Sequence, residues 1–294
     1  MPLKPTINLL ISDLDNTLYD WMAGFVPSFY AMVEEALRIE GLQADRERLL
    51  DDLRAVHQRY GSSEHPYALL ETETVQRSYP TMSFAEKKRR LQKAFEVFNE
   101  ARQTNLHLYP TVLITLRQVR RTGCPVVAYT EARVESAAAK LDVLKLWPEI
   151  DALYAPEGNG NIDSRTGLSR HDAPLYKISM LPGNHRKPDP DALRSICKDF
   201  QIDPSCALYV GDSLQKDIAM ANSAGLRSAW AEYGAKVDDS LWRKLVRVTH
   251  WTPDHVAQNE RLRAECSDAR ADVQVRSFGE LLKYFHFAGA RVPA

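Results

Sequence analysis

Two aspartates, Asp13 and Asp15, follow a mostly apolar run at residues 7–11, and Thr17 lies two positions further on. A short run of this kind predicts a buried strand of a parallel sheet. Because alternate residues of a strand share a face, the two acids would point the same way if the strand continues through them. Neighbouring carboxylates repel each other, and a bound cation or a shared proton relieves that repulsion. Taken alone, the pair fits such a site and two solvated acids in a turn equally well.

Three further polar residues lie at the ends of predicted elements downstream. Thr130 follows a predicted strand at 125–129, Asp212 lies just beyond a strand at 207–210, and Lys187 precedes a predicted helix. Ligands of parallel α/β sheets bind outside the carboxyl ends of the strands, so we expect these side chains to converge with the two aspartates. Singly, Thr130 fits a helix N-cap and Lys187 fits a surface lysine. Their joint placement favours a functional site.

The spacing of apolar residues divides the chain into a helical stretch and an alternating α/β part. The predicted helices of the first stretch span 25–40, 46–60, 67–78 and 84–104. Ser83 and Glu86 predict a capping box at the start of the last of these helices. From residue 109 onward strands alternate with helices, the pattern of a doubly wound parallel sheet. We predict an α/β core of residues 1–19 and 107–294 with an inserted all-helical domain at 20–106.

Two stretches fit neither pattern. Residues 156–183 are rich in Gly, Asn, Asp and Pro and are long for a connection between a strand and a helix, so we expect a small hairpin or an ordered loop. Residues 236–272 remain unassigned, apart from two short helices predicted at 241–248 and 255–265.

Composition excludes several functional classes. The 294 residues carry a formal net charge of −1, so no bulk positive charge favours nucleic acid or an anionic membrane as a partner. No run approaches the roughly 20 apolar residues of a membrane span, and the sequence shows no apolar signal segment. Four widely spaced cysteines without a CxxC pair indicate reduced thiols, so we expect a cytoplasmic protein.

Four motifs, in order, resemble those of the haloacid dehalogenase-like (HAD) hydrolases, specifically the phosphatase branch with a helical cap. The matching residues are Asp13, Asp15 and Thr17 in DxDxT, Thr130 at the strand end of the second motif, Lys187 in RKPDP, and Gly211, Asp212 and Asp217 in GDxxxxD. The helical insertion lies where the family carries its cap. One such motif is weak evidence, whereas the ordered set of four is specific. The resemblance implies a Rossmann-like HAD core.

The resemblance also implies phosphoryl transfer through a covalent intermediate. Asp13 would attack phosphorus to form an aspartyl-phosphate. Asp15 would protonate the leaving oxygen and then deprotonate the water that hydrolyses the intermediate. Thr130 and Lys187 would bind the phosphoryl oxygens as charge spreads over them. Thr17 is expected to support the turn more than the chemistry.

A magnesium site is part of the same expectation. Mg²⁺ would bind the Asp13 carboxylate, the backbone carbonyl of Asp15 and Asp212, with waters and a phosphate oxygen completing an octahedron. Asp217 would orient Lys187 or a metal-bound water.

One residue departs from the family pattern. Many phosphatases of the family have Asn after the hydroxyl of the second motif, whereas this chain has Glu131. A carboxylate facing the phosphate would repel it. Glu131 is therefore expected to cap the following helix or to pair with a cation such as Arg133, and a role in binding a cationic substrate group is the weaker alternative.

Related activities remain to be weighed. A dehalogenase needs no acid two residues after the nucleophile, so Asp15 argues against it. A phosphonatase uses a single reactive cap lysine, which the crowded basic run Lys87–Arg90 does not suggest. A sugar phosphomutase shares all four motifs and stays an alternative, and a catalytically silent protein-binding scaffold is a more distant one. The expected substrate is a small phosphorylated metabolite: a sugar phosphate, a phosphoglycolate-like acid or a nucleoside monophosphate.

Overall fold

The computed structural model describes residues 4–42, 44–65, 67–158, 177–266 and 268–289. Contacts between residues divide the chain into two compact units. An α/β unit comprises Met1–Asp20, Leu108–Lys236 and Glu260–Ala294, and a helical unit comprises Trp21–His107 and Val237–Asn259.

The strands within the described ranges are β1 (Thr6–Ile7), β2 (Leu9–Ser12), β3 (Val126–Tyr129), β4 (Ala152–Pro156), β5 (Ile178–Leu181), β6 (Ala207–Gly211), β7 (Arg227–Ala231), β8 (Val273–Val275) and β9 (His286–Phe287). Seven of these form one parallel sheet in the order β5-β4-β3-β2-β6-β7-β8, and β1 pairs with β9. This order confirms the predicted doubly wound parallel sheet, in which the chain moves outward from the centre in both directions.

The helices are α1 (Trp21–Leu37), α2 (Arg46–Tyr60), α3 (Glu73–Ser78), α4 (Phe84–Arg90), α5 (Gln92–Asn105), α6 (Val112–Arg121), α7 (Val134–Val143), α8 (Pro190–Asp199), α9 (Ala219–Ala224), α10 (Asp239–Val248), α11 (Pro253–Glu265) and α12 (Leu281–Tyr284). The predicted helix at 84–104 is interrupted at Leu91, which separates α4 from α5. The capping box of Ser83 and Glu86 is confirmed, with both reciprocal hydrogen bonds formed. No helix in the described ranges combines the length and the apolar character that crossing a membrane requires.

The central strands β2, β3 and β6 end at the same edge of the sheet. Ser12, the last residue of β2, pairs with Ala128 on β3 and with Val210 on β6. Every residue of these three strands is buried, as expected of parallel strands covered on both faces. Because the three strands end in register, the residues that follow them lie at one edge of the sheet.

Strand β5 was not predicted from the sequence. It lies within the stretch 156–183, at one edge of the sheet, and its Ile-Ser-Met-Leu sequence is only partly buried. A short, half-exposed edge strand gives neither the alternation nor the long apolar run by which strands are recognised. The expected hairpin or loop falls mainly on residues 159–176, which lie outside the described residues.

The helical unit is built from two separate parts of the chain. In its core, Phe25 and Phe29 of α1 join Leu245 and Val248 of α10. The hydroxyl of Tyr30 donates to the carbonyl oxygen of Lys244 at 3.0 Å. The sequence-based division left residues 237–259 with the α/β core, whereas their contacts place them in the helical unit. An amphipathic helix such as α10 does not reveal by its own pattern which distant helices cover its apolar face.

Candidate active site

Three carboxylates meet at the carboxyl edge of the central strands. Asp13 follows β2, Asp212 follows β6, and Asp217 lies in a π-helical turn at Leu214–Ile218. One oxygen from each of these carboxylates lies within 4.8 Å of the other two. Thr130, the predicted hydroxyl, follows β3 and is 1% exposed. Asp13 and Asp212 therefore lie close together, as expected from the strand ends, and Asp217 lies beside them.

Lys187 is buried at the centre of this cluster. Its Nζ donates to Asp13 Oδ1 at 2.5 Å, to Asp217 Oδ1 at 2.9 Å and to the Tyr209 hydroxyl at 2.7 Å. The Tyr209 hydroxyl in turn donates to Asp217 Oδ1 at 2.9 Å. These contacts fit the expectation that Asp217 orients Lys187. Tyr209 was not anticipated, and its only signal was a hydroxyl within an otherwise apolar strand.

Burial dominates the electrostatics of the cluster. Burial raises the pKa of Asp13 to about 7, against the lowering effect of Lys187. Burial, followed by the charges of Asp217 and Asp13, raises the pKa of Asp212 well above its ordinary range. The pKa of Lys187 is also raised, because the attraction of Asp13 and Asp217 outweighs the effect of burial. Burial is thus the main cause of both carboxyl shifts, and the like charges of the neighbouring carboxylates add to it.

The second acid of the first motif has a lysine of its own. Lys140 of α7 donates from Nζ to Asp15 Oδ1 at 2.7 Å, and its side chain is 2% exposed. Lys140 was not predicted from the sequence. A signal was present, because Lys140 falls three residues after Ala137 on the buried side of α7, where a charged residue is unusual.

Glu131 is paired with a cation, as predicted, but the partner is Lys216 and not Arg133. The Lys216 Nζ lies 2.8 Å from Glu131 Oε2, and the backbone amide of Lys187 donates to Oε1 at 3.1 Å. Burial raises the pKa of Glu131, but Lys216 and Lys187 together outweigh it, so the net shift of the pKa is downward. The predicted helix cap is not formed: the N-cap of α7 is Arg133, with no side-chain capping bond. The Glu131 carboxylate thus links the second motif to the loop that carries Lys187 and to the π-helical turn that carries Lys216.

The two hydroxyls of the motifs make local contacts. Thr17 Oγ1 lies 3.4 Å from Asp13 Oδ2, in line with a role in supporting the turn. Thr130 Oγ1 accepts the backbone N–H of Ala132 at 3.0 Å.

The fourth motif is shaped around Asp217. A side chain at Gly211 would clash with the Asp217 carboxyl group, so the glycine leaves the space that this acid occupies. The backbone N–H of Ser213 donates to Asp217 Oδ2 at 3.0 Å. π-Helical turns often mark functional sites, and this one directs Asp217 toward Lys187.

Residues 7–225 match the haloacid dehalogenase-like hydrolases. The chain belongs to this family. It is 26% identical to phosphoglycolate phosphatase 1 of Pseudomonas aeruginosa over 275 residues, 90% of this chain and 81% of that protein. It is 46% identical to the N-acetylmuramic acid 6-phosphate phosphatase of Pseudomonas putida over 73 residues, 25% of this chain and 31% of that protein.

A solved structure of the family shows the same fold. The 2-haloacid dehalogenase of Pseudomonas syringae pv. Tomato DC3000 is 19% identical and superposes with a TM-score of 0.58, covering 95% of this chain and 97% of that one. Family membership makes the protein a hydrolase, and its phosphatase-named relatives support an enzyme that acts on phosphoric monoesters.

The acidic cluster of this HAD hydrolase fits a divalent cation. Asp13, Asp212 and Asp217 offer only carboxylate oxygens, which are the ligands that Mg²⁺ prefers. The raised pKa values of Asp13 and Asp212 mark a site that a positive charge would stabilise. The predicted ligand set named Asp13, the Asp15 backbone and Asp212, whereas the clustered carboxylates include Asp217. The Asp15 carboxylate itself is bound to Lys140.

Proposed function

We propose that this protein is a magnesium-dependent phosphatase that hydrolyses a small phosphate monoester through a phosphorylated Asp13. The buried cluster of Asp13, Asp212 and Asp217 around Lys187 is the observation that carries the proposal. Its charge, its burial and its place at the carboxyl edge of the sheet all suit a dianionic phosphoryl group bound together with a cation.

In the first step an Asp13 oxygen attacks phosphorus and the bond between phosphorus and the ester oxygen breaks. The proton of Asp15 passes to the departing oxygen, so the alcohol leaves neutral. In the second step water attacks the same phosphorus, and the bond between phosphorus and Asp13 breaks. Asp15 takes the proton of that water, inorganic phosphate leaves, and both acids return to their starting states.

Lys187 and Thr130 bind the oxygens of the phosphoryl group in this mechanism. Lys187 is held by Asp217 and Tyr209, so its ammonium is oriented before the substrate arrives. Such preorganised charge stabilises the transition state without reorganisation during the reaction. The Glu131 carboxylate contacts Lys216 and the backbone amide of Lys187. We therefore assign it to stabilising the loop that carries Lys187 and not to binding substrate.

Asp13 and Asp212, with the backbone carbonyl of Asp15, would hold Mg²⁺, which when bound screens the anionic nucleophile from the anionic substrate. Asp217, the third carboxylate of the cluster, would act through Lys187 or through a water on the metal. The charges of the cluster agree with this assignment. When ionised, Asp13, Asp212 and Asp217 contribute three negative charges, and Lys187 contributes one positive charge. The remaining two negative charges match one divalent cation.

The substrate class follows from the relatives and not from the catalytic residues. Relatives named for phosphoglycolate and for N-acetylmuramic acid 6-phosphate favour a small phosphorylated acid or a sugar phosphate. We propose a metabolite of this size and charge as the substrate, and a nucleoside monophosphate as the next class to assay.

Hydrolysis of 4-nitrophenyl phosphate with and without Mg²⁺ tests the proposal. We expect magnesium-dependent turnover that Asp13→Asn lowers on the order of 10⁵-fold, since it removes the nucleophile. Asp191→Asn is the matched control, because Asp191 is exposed and pairs with Arg194 away from the cluster. An Asp13→Asn variant as active as the control, or a folded wild-type protein without turnover, would overturn the proposal.

A further inference from the structure

A second buried lysine lies at the proposed site and belongs to none of the family motifs. Lys140, on α7, places its ammonium 2.7 Å from Asp15 Oδ1. The Lys140 side chain is 2% exposed, whereas that of Asp15 is 25% exposed. Asp15 Oδ1 is therefore held by a buried ammonium group, while part of the Asp15 side chain is accessible to solvent.

Burying an ammonium group is costly unless its partners compensate for the lost water. The chain offers a useful comparison in Lys177, which is also partly buried. Lys177 donates to two backbone carbonyls, those of Trp147 and Ile150, at 2.9 and 2.7 Å. These bonds satisfy backbone acceptors and so stabilise the fold. Lys140 instead bonds a carboxylate, and the carboxylate is the one that must transfer protons in the proposed mechanism.

We propose that Lys140 is a positioning residue for Asp15. Its ammonium holds Oδ1 and so fixes the plane of the carboxyl group relative to the neighbouring Asp13. The held orientation brings the group to the departing oxygen in the first step and to the attacking water in the second. This inference rests on the proposed phosphatase function, because it concerns the proton that Asp15 gives and takes back.

The contact also explains why α7 carries a lysine on its buried side. Besides Glu135, the other buried positions of α7 are the apolar Val134, Ala137, Ala138 and Leu141, which suit the packing of the helix on the sheet. An apolar residue at position 140 would serve that packing without the cost of an ammonium group. The lysine is accounted for by its reach to Asp15, which lies 125 residues earlier in the chain.

The dependence of the rate on the leaving group tests the role. An alkyl phosphate such as glycerol phosphate needs a proton on its departing oxygen, whereas 4-nitrophenolate leaves without one. We expect Lys140→Gln to lower kcat/KM for the alkyl ester about 10²-fold, the cost of a misplaced catalytic group, and to change kcat/KM for the aryl ester only a few-fold, because kcat/KM reports the first step and not the common hydrolysis of the intermediate. A residue that only stabilised the fold would lower both rates by the same factor.

Two further variants keep the test decisive. Lys140→Met fills the same volume without a charge and should give the same selective loss if Lys140→Gln folds poorly. Lys177→Gln removes a lysine whose partners among the described residues are backbone carbonyls, and it should leave the ratio of the two rates unchanged. An equal loss on both substrates, or the failure of both Lys140 variants to fold, would assign Lys140 to stability and overturn the inference.

The outcome is distinguishable from a failure of the proposed function. If wild-type protein hydrolyses neither ester, the phosphatase proposal fails. If it hydrolyses both and the Lys140 variants lose them equally, only the positioning role fails. In the background of Asp15→Asn, Lys140→Gln should have little further effect on the alkyl ester, because the group that it positions is already gone.

Discussion

Two buried polar side chains of the helical unit illustrate a matched arrangement. His57 Nδ1 donates to the carbonyl oxygen of Val248 at 2.6 Å, and Asp52 accepts the backbone N–H of Thr74 at 2.6 Å while Arg48 neutralises its charge. In the α/β unit, by contrast, Asp13, Asp212 and their neighbours leave an excess of negative charge at one edge of the sheet. The first arrangement holds a fold together. The second is neutralised by bound protons or by a further positive charge, and it therefore indicates a binding function.

The largest expected effect comes from removing one acid of the unbalanced cluster. Asp212→Asn should lower kcat/KM on the order of 10³-fold, because it deletes a proposed ligand of Mg²⁺. In the wild-type protein, Mg²⁺ at a hundred times its Kd should stabilise the fold by about 2.7 kcal/mol, and the variant should lose most of this gain. Thermal unfolding with and without Mg²⁺ measures the second quantity.

The metal-free protein gives the sharper comparison. Because Asp212→Asn removes an acid whose ionised form is disfavoured by burial and by the neighbouring carboxylates, its Tm without metal should equal or exceed that of the wild type. Asp191→Asn again serves as the control. A wild-type Tm that does not respond to Mg²⁺, or a metal-free variant that is clearly less stable, would contradict the contrast between the two units.

A smaller effect is expected from His57, in the balanced unit. Burial lowers the pKa of His57 to about 4 from an ordinary value of 6.5. Between these values the unfolded chain binds the proton more readily, so stability is fully present above pH 6.5 and falls as the pH is lowered toward 4. The loss from this one group amounts to about 3 kcal/mol.

Urea unfolding of the wild type and of His57→Gln from pH 7.5 to pH 4 measures this dependence. The difference in unfolding free energy between the two proteins should favour the wild type less as the pH falls, since other groups contribute equally to both. A difference that stays constant over this range would show that His57 is not held neutral by the fold.

The smallest effect concerns the half-buried pair of Glu131 and Lys216. We expect Glu131→Gln to lower kcat/KM about fivefold, because the loop that carries Lys187 loses one of its ties. A double-mutant cycle with Lys216→Met should give a coupling free energy of about 1 kcal/mol. Unchanged relative rates among several phosphate esters would accompany these losses. A changed preference among the esters would instead return Glu131 to substrate recognition.

The acids of the site could be predicted because each lies where an apolar strand stops. Asp13 and Asp212 follow buried strands in the sequence, and parallel strands bring their carboxyl ends together. The same reasoning foresaw a cation beside Glu131 but named Arg133, its neighbour in the chain. The true partner, Lys216, comes from the π-helical turn, whose path a periodic pattern does not reveal.

Residues that act through tertiary contacts were missed. Lys140 sits in an ordinary short helix and Tyr209 in an ordinary buried strand, and only folding brings them to Asp15 and Lys187. The edge strand β5 and the place of α10 in the helical unit were missed for a similar reason. In each case the partner is distant in the chain, and the local pattern is compatible with several surroundings.

Trapping the phosphorylated enzyme tests whether Asp13 is the nucleophile. Asp15→Asn should still react with 4-nitrophenyl phosphate, whose leaving group needs no proton, but it lacks the base that activates water. We expect mass spectrometry of the acid-quenched variant to find one phosphoryl group, located on Asp13. A variant that releases 4-nitrophenolate over many turnovers at the wild-type rate, with no phosphate on Asp13, would contradict the covalent mechanism.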